Sequence, residues 1–268
     1  MKRNIGLPKY LFFARLRDVM LSIIATPIGN LGDITLRALE VLKTADIILC
    51  EDTRVTKKLL SHYEINTPTM SYHQHSDEKK IREILSLLDD GKHLALVTDA
   101  GTPGISDPGN RLIHDVISSD PERLKGAEGE SRDLDAETRF LPDSIGTRND
   151  VVVQPIPGPS AVIAALSISG LPTDKFIFMG FPPHKKGRET FFREVADAKY
   201  TVAFYESNHR IKKAIGQLGN VLEGDREVVI CRELTKKFET VYRGSIEEVA
   251  KMNIVEKGEF VVLVRGSR

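Results

Sequence analysis

The run Leu21-Ser-Ile-Ile-Ala-Thr26, continued without a break by Pro27-Ile-Gly-Asn-Leu-Gly-Asp33, decides how this chain is read. A nearly continuous apolar hexamer suits a strand buried on both faces, as strands of parallel sheets are. A Gly/Pro-rich turn follows, and Asp33 stands where a helix N-cap belongs, ahead of Leu36, Leu39, Val41 and Leu42 at helical spacing. Buried strand, tight loop and amphipathic helix form the repeating unit of an α/β fold.

The unit recurs down the chain. Strands are expected at 47–50, 70–73, 94–98 and 151–156, and helices from 53 onward and at 77–88, 111–117 and 160–167. The punctuated stretch Ser169-Gly-Leu-Pro-Thr-Asp174 is the best domain boundary. Beyond it a smaller α/β unit is expected, with strands 176–179, 201–205, 228–231 and 260–264 and helices 189–196, 209–218 and 246–251. The division is therefore 20–168 and 175–268. Residues 1–19 read as an extension without a fold of its own, with Met20 a possible natural start. Residues 119–149 carry eight acids and five Lys/Arg where a few loop residues would suffice, and read as a mobile surface insert.

Composition narrows the function. The 268 residues hold 38 Lys+Arg and 38 Asp+Glu, so the net charge is zero. This excludes a protein that grips nucleic acid by bulk charge, though not one with a local basic patch. Cys50 and Cys231 form no CxxC pair, which disfavours a disulfide scaffold or structural zinc and fits a reducing cytoplasm. No apolar run reaches the roughly 18 residues of a membrane span.

Three Gly/Pro-rich loops follow expected strand ends: 27–33, 99–109 (Asp-Ala-Gly-Thr-Pro-Gly-Ile-Ser-Asp-Pro-Gly) and 157–161 (Pro-Gly-Pro-Ser-Ala). In open α/β sheets, ligands bind outside such strand ends. GxGxxG after the first strand, GxxxxGK[ST] and GxSxG are all absent, so the usual dinucleotide, phosphate-loop and hydrolase signatures give no support. Ligands of adenosine type held by backbone groups remain open. His73 and His75 lack a further ligand nearby, and no metal site is expected. Glu51-Asp-Thr-Arg54 at a strand end suggests a hydrogen-bonded site. The basic clusters Lys57-Lys58, Lys185-Lys186 with Arg188, Lys212-Lys213 and Lys236-Lys237 read singly as solvated faces; together they could contact phosphates around one cleft. Tyr72, Phe181 and Tyr205 offer stacking surfaces for bases, if they are not core.

Taken in order, Ala25-Thr-Pro-Ile-Gly-Asn-Leu-Gly-Asp33, Glu51-Asp-Thr-Arg54, Ser71-Tyr-His73, residues 99–109, Pro155-Ile-Pro-Gly-Pro-Ser-Ala161, Ser169–Asp174, Phe204-Tyr-Glu-Ser207 and Arg232-Glu-Leu-Thr-Lys-Lys-Phe-Glu239 resemble the tetrapyrrole methylase superfamily. Within it they resemble the branch of ribosomal RNA small-subunit methyltransferases. The resemblance runs from about Leu21 to Val264, apart from the insert. It implies two α/β domains with S-adenosylmethionine in the cleft between them, and a homodimer. It also implies 2′-O-methylation of a cytidine ribose in the decoding centre of small-subunit rRNA, with the small ribosomal subunit as partner. Carried over by position, cofactor contacts fall on Pro27, Ala100, Gly101, Thr102, Ile105, Ser160, Ala161, Tyr205, Leu234, Gly258, Glu259 and Phe260.

A ribose hydroxyl is a weak nucleophile until a base takes its proton. Asp33, Glu51, Asp52 and Glu233 are candidate bases, and Arg54 and Lys236 could hold phosphate or polarise the hydroxyl. Asn208 replaces the Pro usual in the branch after Phe-Tyr-Glu-Ser, and many relatives carry a further C-terminal segment. Two other readings stay open: a small-molecule, tetrapyrrole-type methyltransferase of the same superfamily, and a non-catalytic ribosome-binding relative.

Overall fold

The computed structural model describes residues 19–73, 76–107, 109–118 and 151–267. Residues 1–18, the insert at 119–149 and His75 lie outside the described residues, so the expectations for them are not addressed. The opening apolar run forms β1 (Val19–Ile24), two residues earlier than its cleanest stretch, because Val19 and Met20 already pair with Val151 and Val152. With β1 run β2 (Ile47–Cys50), β3 (Thr69–Ser71), β4 (Leu94–Leu96) and β5 (Val151–Ile156), all parallel, in the order β3-β2-β4-β1-β5.

Helices cover both faces, as a parallel sheet requires. α1 (Leu36–Thr44) and α2 (Thr53–His62) bury Ala38, Leu42, Leu59 and Leu60 against Ile24, Ile48 and Ala95. On the other face α3 (Glu78–Asp89) and α4 (Gly109–Ser118) bury Ile84, Leu88 and Leu112 against Leu21, Leu49 and Leu94. Each buried leucine or isoleucine among them contributes about 1.5–3 kcal/mol of transfer free energy. Asp33 does not cap α1. It ends a short 3-10 turn, Leu31–Asp33, and the cap is Thr35, whose hydroxyl accepts the Ala38 N–H at 3.1 Å. Tyr72 is core, 2% exposed, and offers no stacking surface.

The second sheet comprises β6 (Phe176–Phe178), β7 (Thr201–Ser207), β8 (Glu227–Arg232), β9 (Thr240–Ser245) and β10 (Glu259–Val264), in the order β6-β7-β10-β8-β9. Only β6 and β7 run parallel; the remaining pairs are antiparallel. β9 was not expected from sequence. β10 alternates cleanly: Phe260, Val262 and Val264 face α6 (Arg188–Asp197), α7 (Ile211–Val221) and α8 (Ile246–Lys251). Val261 and Leu263 face the opposite way, onto α5 (Ala161–Ser169). α5 thus follows the last strand of the first sheet yet packs on the second, and Ile28 from the loop after β1 joins that same core. The two halves share a seam there.

Candidate functional site

The order of the first sheet assembles the site. β4, β1 and β5 are neighbours, so the three Gly/Pro-rich loops that leave their C-terminal ends must converge. They are bonded together. Thr26 and Gly101 exchange both backbone hydrogen bonds, at 2.8 and 3.0 Å, and the Thr102 hydroxyl donates to the Pro159 carbonyl at 3.2 Å. Gly158 lies so close to β1 that a Cβ there would stand 3.0 Å from the Ala25 Cβ. Between these loops and the second sheet lies a cavity of about 510 Å³, within the range of about 300–1,000 Å³ usual for small-molecule sites.

Ala100, Gly101, Thr102, Ile105, Ser160 and Ala161 line it from the first half, and Tyr205, Leu234, Gly258, Glu259 and Phe260 from the second. Pro27 is not in the wall; its neighbour Ile28 is. Among the six polar candidates, Glu51, Glu233 and Lys236 line the cavity, whereas Asp33, Asp52 and Arg54 do not.

Glu51 and Asp52 are adjacent in sequence but part company in space. The Asp52 carboxylate caps α2, accepting the Arg54 N–H at 2.8 Å, and the Arg54 guanidinium clamps it at 2.7 Å. Those bonds hold Asp52 down at about 2. Glu51 turns the other way, into the cavity, where it accepts a long hydrogen bond (3.4 Å) from the Thr98 hydroxyl. Because β2 and β4 are neighbours, Glu51 lies near Asp99, which accepts the Asp52 N–H at 3.2 Å. Burial raises the Glu51 carboxyl above its ordinary range, and the Asp99 charge adds to the rise. Burial raises Asp99 too, with Asp52 contributing.

The opposite half contributes a strained turn. Glu233 (φ 53°) and Thr235 (φ 64°) both occupy the left-handed region, unusual for residues with side chains and more so for a β-branched one. Arg232, buried, braces the turn by donating to the carbonyls of Lys257 (2.6 Å) and Phe238 (2.8 Å). The turn sets the Lys236 ammonium between Glu233 Oε1 (3.0 Å) and Glu259 Oε2 (2.7 Å). Burial works to raise Glu233, but Lys236 and the Glu259 N–H outweigh it and hold the carboxylate low.

The cavity wall also includes Phe181, one of the stacking surfaces expected from sequence, and Asp99, Asp107 and Glu206, which sequence reasoning did not place among the site residues. Asp99 sat inside a quoted loop; a carboxylate directly after a buried apolar strand was the available signal. Glu206 is paired with Arg188 (2.7 Å) and Arg210 (2.9 Å) in a buried cluster, so Arg188 offers no solvated charge. Among the described residues the remaining wall charges are Glu51, Asp99, Asp107, Glu233 and Glu259 against the ammonium of Lys236. Such a wall suits a cationic ligand and repels phosphates. Among the described residues no three His, Cys, Asp or Glu gather as a metal site, and no helix is long and apolar enough to cross a membrane.

A model of the family described as Tetrapyrrole (Corrin/Porphyrin) Methylases matches residues 20–122 and 143–250. The chain is 44% identical over 254 residues to the ribosomal RNA small subunit methyltransferase I of Vibrio cholerae, covering 93% of this chain and 78% of that protein. It is 41% identical over 250 residues to the protein of the same name from Halalkalibacterium halodurans, covering 92% and 76%. Among solved structures it resembles a cobalamin biosynthetic enzyme, cobalt precorrin-4 methyltransferase (TM-score 0.61, 19% identity, 92% of this chain and 95% of that one). It also resembles uroporphyrin-III-C-methyltransferase from Thermus thermophilus (TM-score 0.56, 14% identity, 91% and 93%). At such identities these two likenesses concern the fold alone.

Proposed function

The chain belongs to the tetrapyrrole (corrin/porphyrin) methylase family, and from that premise we propose that it methylates small-subunit ribosomal RNA with S-adenosylmethionine, at the 2′-oxygen of a cytidine ribose in the decoding centre. The observation that carries the cofactor is the charge of the cavity: among the described residues, and setting aside Glu206 in its arginine cluster, five carboxylates face the ammonium of Lys236, a setting for a sulfonium and an α-amino group. Ala100, Gly101 and Ser160-Ala161 hold it from the first half, and Leu234 and Gly258 from the second. The two relatives named above, which match over more than nine-tenths of this chain and are both named for ribosomal RNA, support the acceptor. The small-molecule reading draws on fold alone.

When bound, S-adenosylmethionine supplies a methyl group activated by its sulfonium. The chain must then position the acceptor in line and take its proton. Glu51 is the base: it lines the cavity, and burial raises its proton affinity above that of an ordinary carboxylate. Asp52 is bound in its cap, Asp33 lies outside the wall, and Glu233 is held low by Lys236, which makes it a weak base. Glu51 would take the proton of the acceptor hydroxyl as that oxygen accepts the methyl group the bound cofactor would supply.

The acceptor puts the work in the cytoplasm, with the small ribosomal subunit as partner. A second copy of the chain fits the outer face of α5, an apolar helix whose Ile163 and Ile168 stay exposed. The test of the proposal is transfer of labelled methyl to small subunits lacking that modification.

A further inference from the structure

The segment Gly180-Phe-Pro-Pro-His-Lys-Lys-Gly187 leads from β6 to α6 along the cavity rim. Phe181 is part of the cavity wall yet 51% exposed. Its ring stands 5.3 Å from that of Tyr205, tilted by 59°, and Tyr205 packs in turn at 4.9 Å on Phe178. A large apolar ring left half in water at a cavity mouth has a face to offer.

The backbone on either side of the ring is tied down. The Gly180 carbonyl accepts the Tyr205 N–H at 2.8 Å. The carbonyls of Pro182 and Pro183 accept from the guanidinium groups of Arg210 (3.2 Å) and Arg188 (3.3 Å). Both groups are fixed by Glu206, which is 1% exposed. A buried ionic cluster thus braces an exposed loop. Immediately after the prolines come His184, Lys185 and Lys186, all exposed, and neither lysine forms an ion pair among the described residues. In a chain with no net charge, that is a local cationic patch joined to an aromatic platform.

We propose that this loop is the RNA-holding element of the site: Phe181 stacks on the base of the nucleotide whose ribose enters the cavity, and Lys185 and Lys186 hold the phosphates beside it. The assignment rests on the reading that the acceptor is RNA. Single-stranded RNA is held by this pairing of an aromatic face with cations tracking the backbone. The acidic cavity takes the cationic cofactor, while the cations that suit phosphate stand at its rim. A braced loop loses little freedom on binding.

The test compares the parent with Phe181→Ala, Phe181→Tyr and the double variant Lys185→Ala/Lys186→Ala. Calorimetry gives S-adenosylmethionine affinity, which also reports an intact fold. Filter binding over a series of KCl concentrations gives affinity for a small-subunit rRNA fragment. Phe181→Ala should weaken RNA binding by about tenfold or more, a loss well beyond any change in cofactor affinity, and Phe181→Tyr should retain parental binding. The double lysine variant should lower the slope of log affinity against log salt by about 1 to 1.5. Loss of cofactor affinity in Phe181→Ala, matching the loss for RNA, would overturn the assignment by making Phe181 part of the cofactor pocket. Variants that bind RNA like a competent parent would overturn it while leaving the rRNA reading intact. A parent that binds cofactor but no RNA would overturn both.

Discussion

A methyl group placed on Gly29 would stand 2.3 Å from Cγ of Lys236 and 3.0 Å from its Cε. The loop after β1 and the strained turn after β8 therefore interlock only because residue 29 has no side chain. The Lys236 stem crosses Gly29, and its ammonium then reaches Glu233 and Glu259. Gly29→Ala must push that stem aside, so it should act as a lesion of Lys236. We expect Gly29→Ala and Lys236→Ala each to weaken S-adenosylmethionine binding, because Glu233 and Glu259 in the cavity wall lose the ammonium that positions them, a loss that outweighs the gain in negative charge. Combined, they should cost little more than either alone, since both remove one interaction. Calorimetry on the four proteins of the cycle checks this; strictly additive losses would contradict it.

Glu51→Gln keeps the shape and removes the base. Turnover should fall by about 10²- to 10³-fold, far more than cofactor affinity, which loses only one of several wall carboxylates. In the parent, activity should rise with pH as Glu51 loses its proton, with a midpoint above the ordinary carboxylate value of 4.5 because burial raises it. Glu233→Gln should leave that midpoint where it is. A pH–rate profile of the three proteins separates the roles.

Much of the first half was legible because strands buried on both faces leave continuous apolar runs, as at Leu21–Ile24 and Leu94–Leu96. β9 was not, because Thr240-Val-Tyr-Arg-Gly-Ser245 is an edge strand of mixed exposure whose residues show neither an apolar run nor clean alternation. The convergence of the three loops was legible as position, after strand ends; that they touch depends on β4, β1 and β5 being neighbours, which pairing decides. Which of two adjacent acids faces the cavity was not legible. Glu51 and Asp52 differ in outcome because one carboxylate is captured by the first turn of α2, a choice made by backbone geometry.

Asp99 and Glu51 bind their protons more tightly in the folded chain than in the unfolded one. A raised folded value contributes stability that is full below the unfolded value and is lost as pH rises through the folded one. At neutral pH both charges therefore weigh against folding. Asp99→Asn, which can still accept the Asp52 N–H, should raise the melting temperature at pH 7, and the gain should vanish below the ordinary aspartate value of 3.8. Thermal melts across that range give the sign directly.

Glu206 compensates two guanidinium groups in a pocket nearly closed to water, with side-chain exposures of 4% for Arg188 and 0% for Glu206. Glu206→Ala would leave both cations unpaired and should destabilise the chain by about 3–5 kcal/mol. The midpoint of denaturant unfolding measures the cost. A change below about 1 kcal/mol, the scale of a surface pair, would mean that the cluster does not brace the loop as described.

The most direct test of the central claim is methyl transfer itself. The protein is incubated with methyl-labelled S-adenosylmethionine and small ribosomal subunits lacking decoding-centre ribose methylation, and the label is mapped by nuclease digestion and mass spectrometry. The account predicts label on the 2′-oxygen of a single cytidine, lost in Glu51→Gln. Bound cofactor with no label on the subunit, or label on a base or on protein, would contradict it.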